Sequence, residues 1–104
     1  MINFFSSTIE IRIAVLKNSH VRLTTGASVL LEGKKEDCMS KLYSMVSGLP
    51  GLDGKTIKFI IDTVEEPDSF ECAETKRYLI TRLNRMGSSL KCKVLVLYHL
   101  YYLA

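Results

Sequence analysis

Residues Thr8 to Leu16 alternate without a break, with Ile9, Ile11, Ile13 and Val15 on one side and Glu10, Arg12 and Ala14 on the other. A period of two is what a β-strand with one face in a core requires, because successive side chains of a strand point to opposite faces. The chain is thereby committed to a sheet with at least one apolar face. Lys17-Asn18-Ser19-His20 is a polar turn, and Val21 to Thr24 resumes the alternation, so the first two strands are predicted to form a hairpin. Thr25-Gly26 interrupts the run, and Ala27 to Glu32 predicts a third strand ending at Gly33.

Between Lys34 and Ser47 the period changes. Cys38, Met39, Leu42, Met45, Val46 and Leu49 recur every three or four residues, the stripe of a helix packed on a core. Gly48 stands where a left-handed cap is expected, and Pro50 cannot continue the helix. Thr56 to Asp62, β-branched and aromatic, predicts the next strand. A second helix is expected to begin at Asp68 or Ser69, carry the stripe Cys72, Ala73, Leu79, Ile80, Leu83, Met86, and close at Gly87. Cys92 to Leu103 is apolar on both faces, which predicts a strand interior to a sheet and covered on both sides.

The predicted fold is α/β, bordering on α+β: a single mixed sheet of about five strands, in the order β-β-β-α-β-α-β, with two helices joining the later strands. No Pro-rich, Gly/Ser-rich or repeated segment divides the chain, so residues 1–104 are expected to form one domain. With 47% hydrophobic residues in 104, one core is affordable without metal or disulfide. If both helices pack on one face of the sheet, something else must cover the other.

A formal charge of +3, from 14 basic and 11 acidic residues that are interspersed, is not the footprint of a dedicated nucleic-acid binder. The amino terminus has no basic leader, and no stretch approaches the roughly 20 apolar residues of a membrane span, so neither secretion nor a membrane is expected. Cys38, Cys72 and Cys92 form no C-x-x-C pair and their odd number is no disulfide framework, which points to a reducing cytoplasm. Cys and His are scattered without metal-ligand spacing, and no Gly-rich phosphate loop follows any strand; no cofactor is expected. No G-x-S-x-G elbow surrounds Ser69, so His20 and His99 have no nucleophile to serve.

Ligands of mostly parallel sheets sit beyond the carboxyl ends of the strands. There the loop from Asp62 through Glu65 and Glu66 to Asp68 collects four carboxylates, and Ser69 follows. Two of these carboxylates would suit a divalent cation in a small metal-dependent enzyme. The helix macrodipole accounts equally for acidic residues at the start of the helix and for Arg77, Arg82 and Arg85 toward its end. Arg77 and Arg85 share a helix face that would meet an acidic partner or phosphate. Cys72, one turn into the helix, reads as a buried structural thiol, or as one whose pKa the dipole lowers. Tyr98, Tyr101 and Tyr102, with Phe4 and Phe5, suit either a partner surface or the core.

The run Phe59-Ile60-Ile61-Asp62, then Asp68-Ser69 opening a helix of about five turns, Gly87 and a strand at Val94, resembles the strand, Asp-Ser, helix and strand of STAS domains, the anti-sigma-factor antagonist family. The resemblance covers under half of the chain. It implies a phospho-switched, regulatory binding domain with Ser69 as the switch. At Phe70-Glu71 the chain departs from the small residues that follow the serine in that family, and its third amino-terminal strand is additional.

The absence of phosphate, metal, redox and nucleophile motifs favours a non-catalytic protein–protein interaction module of inhibitor, immunity or adaptor type. It is expected to act through a sheet edge or an exposed aromatic surface, on another protein or on a second copy of itself as a homodimer.

Overall fold

A computed structural model of the chain describes residues 7–98. Its elements are β1 (Thr8–Val15), β2 (His20–Thr25), β3 (Ser28–Lys34), α1 (Lys35–Ser47), β4 (Thr56–Thr63), α2 (Phe70–Leu90) and β5 (Lys93–Tyr98). They form one mixed sheet in the spatial order β3-β2-β1-β4-β5, with two helices, as the periodicities require. The first three strands are antiparallel, whereas β1, β4 and β5 are parallel. The β1–β2 turn places Asn18 and Ser19 at φ 59°, and Leu16 N–H donates to the His20 carbonyl at 2.8 Å. Asparagine tolerates that left-handed conformation because its short amide bonds locally.

The alternation of β1 is realised residue by residue. Ile9, Ile11, Ile13 and Val15 are buried with Val21, Leu23, Ile57, Phe59 and Ile61 beneath Met39, Leu42 and Val46 of α1 and Leu79, Leu83 and Met86 of α2. Both helices lie on this one face, so the core is a single layer between sheet and helices. On the opposite face Glu10, Arg12, Arg22, Glu32, Leu95 and Leu97 are exposed, and no described residue covers them.

Four local expectations are corrected. β5 is the outer edge of the described sheet, paired only with β4, and not an interior strand. Its apolarity on both faces reflects helix packing of Val94 and Val96 on one side and exposure of Leu95 and Leu97 on the other. Gly87 does not end α2, which continues to Leu90 and is capped by Lys91 at φ 58°. The glycine marks a close approach, since a Cβ there would sit 3.0 Å from Val94 Cγ2, tighter than ordinary van der Waals contact, where α2 meets β5. Gly48 is right-handed at φ −88°, and the left-handed residue of that connection is Gly51 at φ 65°. The third strand also runs through Gly33 to Lys34.

Candidate functional site

The carboxyl ends of β1 and β4 form a rim with the β1–β2 turn, the loop of residues 64–69 and the first turn of α2. Ser69, not Asp68, is the cap of α2: its Oγ accepts from Cys72 N–H at 3.0 Å, with its backbone extended at ψ 151°. Its own N–H donates to the Glu66 carbonyl at 3.0 Å, while Glu66 takes a left-handed φ of 45°. This turn is what reverses the chain from strand to helix within six residues.

The acidic residues of the rim are dispersed rather than gathered. Asp62 lies on the open sheet face and meets Arg12 Nη1 at 3.4 Å, Glu66 lies 4.0 Å from Lys17 Nζ, and Glu71 Oε1 accepts from Ser19 N–H at 3.1 Å. Glu65 is half-buried and Asp68 is exposed. Among the described residues no three His, Cys, Asp or Glu side chains converge as metal ligands would. The alternation of β4 supplies the reason: Asp62 and Thr63 point to opposite faces, so the first carboxylate of the loop is turned away from the rest.

Three of the expected residues do come together. Asp68, Ser69 and Tyr98 line one groove of about 520 Å³ at the outer flank of α2, with Pro67, Cys72, Arg77 and Ile80. Tyr98 registers with Ile61 on the helix side of the sheet, which points its ring at α2. Tyr101 and Tyr102, like His99, Phe4 and Phe5, lie outside the described residues. His20 sits at the β1–β2 turn, its Nδ1 3.0 Å from the Asn18 carbonyl oxygen. Cys72 is buried, and burial pushes its thiol pKa up, against the opposing pull of Lys76 and the Thr63 hydroxyl. The structural reading of that cysteine therefore holds and the activated one does not.

Sequence reasoning expected a sheet edge to bind but did not identify β5 as that edge. Leu95 is 41% exposed, Leu97 45% and Tyr98 42%, all on the outermost strand. Leu97 registers with Ile60 and Leu95 with Lys58 on the open face, so β5 presents leucines to one side and Tyr98 to the other. The signal was the supply of helices: two helices cannot cover both faces of five strands, and whatever strand comes last is left partly bare. The two edges of the sheet both expose apolar side chains, Val29 of β3 being 59% exposed, but they differ in charge and regularity. β3 carries Glu32 and Lys34 and a register shift against β2 between Leu23 and Thr24, devices that blunt an edge. β5 pairs with β4 in unbroken register over six residues and has Lys93 as its one charge.

Among the described residues no helix is long and apolar enough to cross a membrane. No family model, curated protein or solved structure matches the chain.

Proposed function

We propose that the protein is a protein–protein interaction module whose binding element is the β5 edge, and that the partner is a second copy of the chain. The observation that carries this reading is the contrast between the edges. A flat, apolar edge strand offers unpaired N–H and C=O groups to any strand laid beside it, and proteins that stay monomeric normally guard against this. Two β5 strands related by a two-fold axis pair antiparallel, extending the sheet from one protomer into the next and bringing Leu95 and Leu97 of both copies together. The three unpaired cysteines support a reducing, cytoplasmic setting.

Light scattering tests this directly. The wild-type chain is expected at twice its 11.8 kDa mass, and Leu97→Lys is expected at the monomer mass with an unchanged circular dichroism spectrum. A wild-type monomer at high micromolar concentration overturns the reading of a self-partner.

A second reading, the phospho-switch implied by the STAS resemblance, is favoured by the position of Ser69. Its half-exposed hydroxyl caps α2 and lines the same groove as Tyr98 of β5. A phosphate there adds charge at a helix amino terminus, where the dipole favours it, beside the proposed edge. Ser69→Ala is expected to cost about 1 kcal/mol by loss of the cap, whereas Ser69→Asp keeps a cap and adds charge. If the switch reading holds, Ser69→Asp shifts the self-association constant and Ser69→Ala does not. Equal constants for the two variants remove Ser69 from regulation.

A further inference from the structure

α1 and α2 lie side by side on the outer surface of the helix layer, and they are parallel, since each returns antiparallel to the parallel strands it connects. The seam between them is cationic and aromatic. Lys35 Nζ lies 5.3 Å from the centroid of the Tyr78 ring, and the Arg82 guanidinium carbon lies 5.6 Å from the same ring. Arg82 Nη1 also donates to the Tyr78 hydroxyl at 2.7 Å, which fixes the guanidinium against α2. Two to three turns further on, the Tyr43 and Ser89 hydroxyls meet at 2.9 Å across the seam. Tyr43, Arg82, Arg85, Met86 and Ser89 together line an open cavity of about 250 Å³.

Among the described residues neither Arg82 nor Arg85 is ion-paired, whereas Arg12, Lys17, Arg22 and Lys35 each have a carboxylate. Arg82 gives one donor to Tyr78, which leaves most of its planar fork unused, and the fork of Arg85 stands beside the same cavity. Of the two touching hydroxyls, one donates to the other, and the second keeps its proton for a further acceptor. Both guanidinium groups and one of the two hydroxyls at the cavity thus have a donor to spare, and no carboxylate lines it.

We propose that this cavity binds a phosphate group, either as the free dianion or as the head of a small phosphomonoester. Guanidinium forks match phosphate oxygens two at a time, and a fork already held by Tyr78 loses little freedom on binding. The concavity is small, just below the roughly 300–1,000 Å³ of ordinary small-molecule sites, and open to solvent, so it holds a phosphate head while the rest of a monoester lies outside it. The site lies on the helix layer, away from the β5 edge, and does not depend on the self-association proposed above.

The test is a titration of the full chain with inorganic phosphate and, separately, with O-phosphoserine, followed by thermal midpoint at constant ionic strength made up with chloride. Saturable stabilisation by phosphate, absent for chloride, is expected. Arg85→Gln, at an exposed position, is expected to weaken the apparent affinity about tenfold by removing a charge-assisted bidentate contact. Tyr43→Phe keeps the ring and is expected to weaken it less. Tighter binding of O-phosphoserine assigns the monoester, and tighter binding of inorganic phosphate assigns the free ion. An equal response to chloride, or a phosphate response unchanged in Arg85→Gln, overturns the site. Arg85→Gln carries the decision should variants of the half-buried Arg82 fail to fold.

Discussion

Ile11→Asp is expected to abolish cooperative unfolding at room temperature, while Arg12→Val, one residue along the same strand, changes stability by less than about 1 kcal/mol. Ile11 is fully buried, registered with Phe59 on β4 and roofed by the helix layer. Losing its apolar burial costs about 1.5–3 kcal/mol, and an unpaired carboxylate in its place costs several more. A domain of this size has a total stability of about 5–15 kcal/mol, so the two penalties together consume most or all of it. Arg12 faces the open side, and its contacts to Glu10 at 3.6 Å and Asp62 at 3.4 Å are exposed pairs that contribute little. Urea denaturation followed by circular dichroism distinguishes the two. A stable Ile11→Asp would mean that the helices cover the other face of the sheet.

That contrast was legible in the sequence because a strand writes its two faces into alternate residues. Ile9, Ile11, Ile13 and Val15 could only be buried together, and the change to a three-and-four spacing at Cys38 could only be a helix. The order of elements followed from these switches of period. What the periods leave open is spatial neighbourhood. An all-apolar run such as Val94-Leu95-Val96-Leu97 reads the same whether the strand is central or at an edge, since apolarity reports side-chain environment and not which backbone groups are paired. Gly87 was misread for a related reason. A glycine near the end of a helical stripe serves equally as a cap or as a site of close approach, and only the 3.0 Å distance to Val94 Cγ2 separates the two.

The candidate site was legible in part. Ser69 as a helix cap and Tyr98 as a partly exposed aromatic are properties of single positions, and both are found, lining one groove. Whether carboxylates converge is a property of directions in space. Asp62, Glu66 and Glu71 lie within ten residues of one another, yet they diverge to Arg12, Lys17 and the Ser19 amide because strand, turn and helix each aim them differently. The seam between α1 and α2 was hidden for the same reason: Tyr43 and Ser89 are 46 residues apart and meet only through the register of two helices.

Phe59→Ala is expected to cost about 3–5 kcal/mol, against about 0.5–1.5 kcal/mol for Ile57→Val on the same strand and face. Both side chains are fully buried, so the difference measures the cavity as well as the transferred surface. Where in that range Phe59→Ala falls depends on how far its surroundings collapse into the space. Phe59 is registered between Ile11 on central β1 and Val96 on edge strand β5. β1 is held on both sides by β2 and β4 and cannot move without disturbing the whole sheet, whereas β5 is bound through β4 alone among the described strands. Relaxation therefore falls on β5. Where β5 has no neighbour on its outer side, as in a monomer, hydrogen exchange of Phe59→Ala should show protection at the Val94 to Leu97 amides falling further than at Ile9 to Ile13, beyond the global loss of stability. Uniform loss across the five strands would mean that β5 is as firmly held as β1, which requires a neighbour on its outer side. That neighbour is what the proposed dimer supplies, so the same measurement on Leu97→Lys, Phe59→Ala together should restore the asymmetry.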